Sequence, residues 1–293
     1  MKYTILGNCQ AAPISKLLAG QPEFSEKFDF MPLPAPVHMF KPHHLTAIHN
    51  VLASVDLFIY QNISDAFGPE FNTEELKKQC KTGCKFIAIP SLYFTGYFPS
   101  FCYLRHTAGA NEFSPYHDIN FVNSFLKHPD SPIEHFYHKL LNDEFMNDSS
   151  IIDNAKSSLI QLRSVEQATD VKVSDFIEAH WLKRQLFYTP NHPSIKLLEV
   201  VVSRILALLE LKNKALNWDW EPLSTTQTPI YHPVSRNMQF KAKSNIVQSG
   251  KRYTLKEYLA NQLAVYQTVN NDALKANFNI VIAQNPQLKQ SPL

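Results

Sequence analysis

The chain has 293 residues, 44% hydrophobic and 12% aromatic, which is enough apolar material for a sizeable core and excludes a disordered polypeptide. Its 28 basic and 26 acidic residues leave a formal net charge of +2, so no broad electrostatic attraction to nucleic acid or anionic lipid is encoded. Seven glycines, scattered from Gly7 to Gly250, leave neither a dinucleotide fingerprint nor a Walker loop.

The chain opens on a short β-type run, Tyr3 to Leu6, that stops at Gly7 before a helical pattern from Ala12 to Leu18. Phe28 to Met31 reads as a second strand, followed by the proline-rich stretch 32–36. A helix from His44 to Ser54 leads into Asp56 to Tyr60, a continuous apolar run of the kind that fills a buried parallel strand. A helix from Thr73 to Cys80 precedes another such run, Lys85 to Pro90. Strand and helix alternating at these intervals predict an α/β fold with an open, mostly parallel sheet.

Beyond Gly109 helical patterns dominate: 119–127, 133–141, 151–168, 174–183 and 194–211, with one more at 255–266. The helix 194–211 is apolar over most of its circumference and predicts a core element. This gives a large helical C-terminal portion. The domain boundary is expected near 215: residues 1–215 form the α/β catalytic domain with its helical cap, and 216–293 form an extension packed on it. The start lacks the length of a signal peptide, no apolar stretch is long enough to span a membrane, and four cysteines lack metal or disulfide spacing. These features predict a cytoplasmic protein without a metal site.

Cys9 is the first residue with chemical promise. It lies three positions past the first strand, ahead of a helix, where open parallel sheets bind ligands. Free N–H groups and the dipole at a helix start favour a thiolate, a competent nucleophile. A small buried turn residue is the alternative. His192 is the base that suits it, set in Pro190-Asn191-His192-Pro193, where the prolines hold the backbone out of helix and Asn191 or a nearby carbonyl can orient the ring. The alternative is a solvated loop histidine beside a helix-capping Asn191. His117-Asp118 is a second candidate pair, with Asp118 otherwise a cap for the helix from Ile119. Asn62, just past the strand ending at Tyr60, is placed to form an oxyanion hole with backbone N–H groups near Gln10, or simply to form a turn. The segment 90–99 is aromatic enough to line a groove for a sugar or an adenine, or to pack in a core.

Gly7-Asn8-Cys9-Gln10-Ala11 after the first strand, Gln61-Asn62 after a middle strand, Ile89 to Pro99, Tyr116-His117-Asp118 and Phe187 to Ser194 together resemble the WcbI family over residues 2–210. That family comprises proteins of bacterial capsular polysaccharide biosynthesis held to be coenzyme A-binding acetyltransferases. More distantly the order of elements is similar to the SGNH-hydrolase and flavodoxin-like plan, although cysteine stands in place of serine and no Asp-x-x-His precedes His192. The resemblance implies an O-acetyltransferase moving an acetyl group from acetyl-CoA to a sugar hydroxyl, with Cys9, His192, Asn62 and Asn191 as catalytic residues. A cysteine-dependent esterase and a non-enzymatic glycan-machinery component are the competing readings. It further implies that Asn8, Gln10, Tyr93, Arg163, Lys183 and Arg184 contact the coenzyme, with Arg105 a further candidate cation. Its partners are acetyl-CoA and a saccharide acceptor, and a homodimer is allowed.

Overall fold

A computed structural model describes residues 1–104, 116–142, 144–242 and 246–284. In chain order the elements are β1 (Lys2–Leu6), α1 (Ala11–Ala19), α2 (Pro22–Ser25), β2 (Asp29–Phe30), α3 (Leu45–Leu52), β3 (Leu57–Gln61), α4 (Thr73–Lys77) and β4 (Lys85–Ile89). There follow β5 (Phe101–Tyr103), β6 (Tyr116–Asp118), α5 (Ile119–Lys127), α6 (Pro132–Leu141), α7 (Asp148–Glu166) and α8 (Ser174–His180). The chain continues with β7 (Phe187–Thr189), β8 (His192–Pro193), α9 (Ile195–Leu208), α10 (His232–Ser235), β9 (Ile246–Gln248), β10 (Lys251–Tyr253), α11 (Leu255–Thr268) and α12 (Asn271–Gln284).

The polypeptide packs as two units, each assembled from three stretches. Unit 1 takes Met1–Tyr93, Ile160–Ala179 and Pro193–Leu223; unit 2 takes Phe94–Leu159, His180–His192 and Ser224–Leu293. The chain passes repeatedly between the units, and α7 and α8 contribute residues to both.

Unit 1 carries the predicted parallel sheet, in the order β2-β1-β3-β4. Its register pairs Tyr3 with Leu57 and Leu6 with Tyr60, then Leu57 with Lys85 and Gln61 with Ile89. All five residues of β3 are buried, as the continuous apolar run predicted for a central strand. One apolar cluster gathers Leu6, Phe58, Tyr60 and Ala88 from the sheet with Ile48 and Leu52 of α3 and Leu76 of α4. Separately, α1 packs along α9, whose Leu197, Leu198, Val201, Val202, Ile205 and Leu206 are buried. The first free N–H of α9 is satisfied at long range, Ile195 N donating to the Glu221 carboxylate at 2.9 Å.

Unit 2 is helical, with β5 and β6 paired antiparallel so that Cys102 faces His117, and β9 and β10 forming a second hairpin. Its core is aromatic, built on Phe94, Tyr97, Phe98, Phe121, Phe136, Tyr258 and Tyr266. The segment 90–99 thus spends three of its rings on packing instead of lining a groove. The predicted helix 174–183 stops at His180, because the following carbonyls of Trp181 and Arg184 lie 2.6 and 2.8 Å from the buried Tyr97 hydroxyl, which also accepts from Leu186 N–H. Among the described residues no helix is long and apolar enough to cross a membrane, and no cluster of three metal-ligating side chains occurs.

Candidate functional site

The carboxyl ends of β1, β3 and β4 are tied together by side chains from three loops, all in unit 1. Gly7 ends the extended run of β1, and Asn8 begins a tight turn in which its Oδ1 accepts from Gln10 N–H at 2.9 Å and its carbonyl from Ala11 N–H at 3.1 Å. Asn8 N–H itself donates to Gln61 Oε1 at 2.9 Å. Gln61 Nε2 donates to Gln10 Oε1 at 3.0 Å, and Gln10 grips the backbone of Leu92 twice, accepting from its N–H at 3.0 Å and donating to its carbonyl at 2.8 Å. Asn8 Nδ2 completes the ring by donating to Ser91 Oγ at 3.1 Å. Cys9 sits at the apex of this turn, half-buried and unbridged.

The electrostatics of Cys9 differ from the expectation. Burial pushes its thiol pKa up, and only its own backbone N–H pulls the other way. Several nearby N–H groups are also committed elsewhere: those of Asn8, Gln10 and Ala11 are spent on the turn and that of Ile14 on the Gln10 carbonyl. The same commitment removes Gln10 N–H from any oxyanion hole. The pH profile of Cys9 alkylation by iodoacetamide, followed by peptide mass spectrometry, is expected to reach its midpoint above that of free glutathione measured alongside. A midpoint at or below glutathione's would contradict the burial argument.

The remaining predicted residues are placed as follows. Gln10 is fully buried and holds the loop through its bonds to Leu92 and Gln61. Asn62 is exposed, and its amide donates to the Ala168 carbonyl at 3.0 Å, a tether within unit 1 that occupies one of its two N–H bonds. Tyr93 is half-buried and directly follows the Leu92 backbone that Gln10 grips. Arg163, also in unit 1, is exposed and paired with Glu178.

Asn191, His192, Lys183 and Arg184 belong to unit 2. His192 is half-buried in β8. Its loop is fixed on both sides, Phe94 N–H donating to the Pro190 carbonyl and Thr228 N–H to the Tyr188 carbonyl, each at 2.8 Å. Asn191 Oδ1 accepts from the Thr189 hydroxyl at 3.1 Å. The residue before α9 is Ser194, so Asn191 is not its cap. Lys183 and Arg184 are exposed in the turn after α8. Asp118, buried with His117, caps α5 by accepting from Asn120 and Phe121 N–H at 2.8 and 3.2 Å, and from the Ser100 hydroxyl at 3.0 Å. That pair serves unit 2 internally. Arg105 lies outside the described residues.

Sequence reasoning missed Gln61, Gly7 and Ser91. The sequence points to Asn62 instead, whose amide suits an oxyanion hole at the strand end. The available signal was position: the last residue of a strand flanked on both sides is buried, and a buried glutamine must be matched by partners.

A parallel α/β sheet with a half-buried cysteine loop at its carboxyl edge defines a class of protein in which small-molecule chemistry is placed beyond the strand ends. The chain belongs to the WcbI polysaccharide biosynthesis enzyme family, whose model matches residues 2–214. It is thereby an enzyme family member with a role in polysaccharide biosynthesis. Among solved structures, a WcbI polysaccharide biosynthesis enzyme, described as native protein without a disulfide bond between coenzyme A and one of its cysteines, is similar at 21% identity. It superposes with a TM-score of 0.88 over 99% of this chain and 97% of that one. No curated protein matches the chain.

Proposed function

We propose that the protein transfers an acetyl group from acetyl-CoA to a sugar hydroxyl of a surface or capsular polysaccharide or its precursor. What carries the reading is a half-buried, unbridged cysteine presented by a fully hydrogen-bonded turn in a chain of a polysaccharide biosynthesis enzyme family. That the similar solved protein is described by its relation to coenzyme A and a cysteine supports the same donor.

In the covalent route the Cys9 sulfur attacks the thioester carbonyl, forming S-acetyl-Cys9 and releasing coenzyme A as its thiol. The sugar hydroxyl then attacks the acetyl-cysteine, the ester forms, and the Cys9 thiol returns. A general base takes the proton at each attack, the role the sequence assigns to His192 with Asn191 orienting its ring. Asn62 offers its second amide N–H to the developing oxyanion. The resemblance assigns coenzyme contacts to Asn8, Tyr93, Arg163, Lys183 and Arg184, the guanidiniums suiting phosphate by paired donors. The raised thiol pKa favours a second version, in which a general base, the role the sequence assigns to His192, deprotonates the sugar hydroxyl for direct attack on acetyl-CoA without a covalent step at Cys9.

Calorimetric titration with coenzyme A and intact-mass measurement after acetyl-CoA exposure test both. Binding is expected, and the covalent route adds about 42 Da, an acetyl group replacing a proton, that Cys9→Ser abolishes. Binding and sugar acetylation without the adduct select the direct route. Absence of any affinity for coenzyme A overturns the proposal.

A further inference from the structure

Gln61 stands out among the residues that no role has absorbed. It is 5% exposed at the end of the central strand and makes polar contacts to the Asn8–Gln10 turn and to the Pro90 carbonyl after β4. We propose that Gln61 is the positioning residue of Cys9: its carboxamide, as acceptor for Asn8 N–H and donor to Gln10 Oε1, holds the turn that presents the thiol. The proposal rests on the reading of Cys9 as the residue that meets the acyl donor.

The direction of the amide follows from its partners. Asn8 N–H can only donate, so Gln61 Oε1 faces it at 2.9 Å. Gln61 Nε2 then points at Gln10 Oε1, 3.0 Å away, with the Pro90 carbonyl at 3.4 Å. Gln10 Oε1 is in turn pinned as an acceptor by Leu92 N–H. One assignment satisfies every member, and reversing Gln61 would set two acceptors and two donors against each other. A carboxamide of this length is therefore specified, where an apolar side chain of the same shape would leave Asn8 N–H without a partner and an anionic one would set an oxygen against Gln10 Oε1. The consequence reaches Cys9 through its two neighbours, since Gln61 holds the backbone of one and the side chain of the other.

Two variants test this. Gln61→Met keeps length and volume but removes both bonds; Gln61→Glu keeps the acceptor but aims a second oxygen at Gln10 Oε1 and the Pro90 carbonyl. In Gln61→Met, iodoacetamide alkylation of Cys9 at pH 8 is expected to rise several-fold as the thiol leaves its desolvated seat. Acetyl uptake by Cys9, or sugar acetylation on the direct route, is expected to fall about tenfold or more through lost alignment. Opposite movement of the two rates with Cys80 alkylation unchanged is the signature of positioning; general destabilisation would raise the alkylation of both half-buried cysteines. In Gln61→Glu the alkylation profile should follow wild type at low pH, where the carboxylic acid restores the donor, and depart from it as that carboxyl ionises. Unchanged Cys9 alkylation in a folded Gln61→Met, or a Gln61→Glu profile superimposable on wild type, overturns the proposal. Altered alkylation in a protein that acetylates neither Cys9 nor sugar supports it and removes the acyl-transfer reading instead.

Discussion

Gly7→Ala is expected to lower the free energy of unfolding by about 2–4 kcal/mol, the cost of stranding one or two buried polar groups. A Cβ on residue 7 would stand 2.7 Å from Gln61 Oε1, 3.0 Å from its Cδ and 3.3 Å from the Ala11 Cβ. The backbone of Gly7 is not in the left-handed region, so conformational strain is not the cause. The obstructing atoms are the far end of a side chain and can swing away, which makes the steric part of the substitution cheap. The network makes it costly: moving that amide breaks the bonds to Asn8 N–H and Gln10 Oε1 together. Gly83 is the opposite case, with φ +83° and nothing within 4 Å of a built Cβ. Its substitution by alanine should cost about 1–2 kcal/mol, through backbone conformation alone. A double-mutant cycle checks the assignment. In a Gln61→Ala background the network is already lost and the two nearest obstructing atoms are gone, so Gly7→Ala should cost little, giving strong non-additivity in urea unfolding. Additive losses would mean that Gly7 acts through something other than Gln61.

The sheet was legible because its strands announce themselves. Leu57 to Tyr60 and Phe86 to Ile89 are continuous apolar runs, and burial on both faces is the condition that permits such runs. The helix at Ile119–Lys127 was found to the residue because Asp118 caps it with two backbone N–H bonds. The hairpins of unit 2 were illegible: three-residue strands such as Lys251–Tyr253 are too short to display alternation. Helix α12 was missed for a related reason, since Leu274, Phe278, Val281 and Ile282 are diluted by exposed apolar and small residues that blur the stripe. At the site, the loop holding Cys9 could be read from its place after a strand, whereas its support could not. Gln61 reaches Asn8 across 53 positions of sequence, and Gln10 reaches Leu92 across 82. Only the parallel register, which sets the ends of β1, β3 and β4 side by side, makes those partners neighbours.

In unit 2, the stability of the protein between pH 4 and 6 is expected to hide two opposed titrations that single substitutions will expose. Asp118 is buried, and desolvation raises its carboxyl pKa from 3.8 to about 6 despite the Tyr231, Ser100 and helix-cap bonds that pull it down. Its neighbour His117, buried against Tyr266 with Nδ1 3.0 Å from the phenol oxygen, is pushed from 6.5 down to about 4, again by desolvation. Across this window the folded chain keeps the Asp118 proton that the unfolded chain has lost, so that residue's contribution falls as pH rises. His117 does the reverse: the unfolded chain holds a proton that the folded chain refuses, so its contribution falls as pH drops. Each amounts to about 3 kcal/mol over the window, at 1.36 kcal/mol per pKa unit, and their slopes have opposite sign and nearly cancel. Asp118→Asn keeps a helix-capping side chain and removes one titration, so its stability should climb by about 3 kcal/mol from pH 4 to 6.5. His117→Gln should show the mirror image, losing about as much from pH 4 to 6. Burial is the dominant cause of both shifts, so each persists when the other residue is replaced. Urea unfolding across the range reads the slopes directly, and variants whose pH dependence tracks that of wild type would show that neither group titrates as its burial requires.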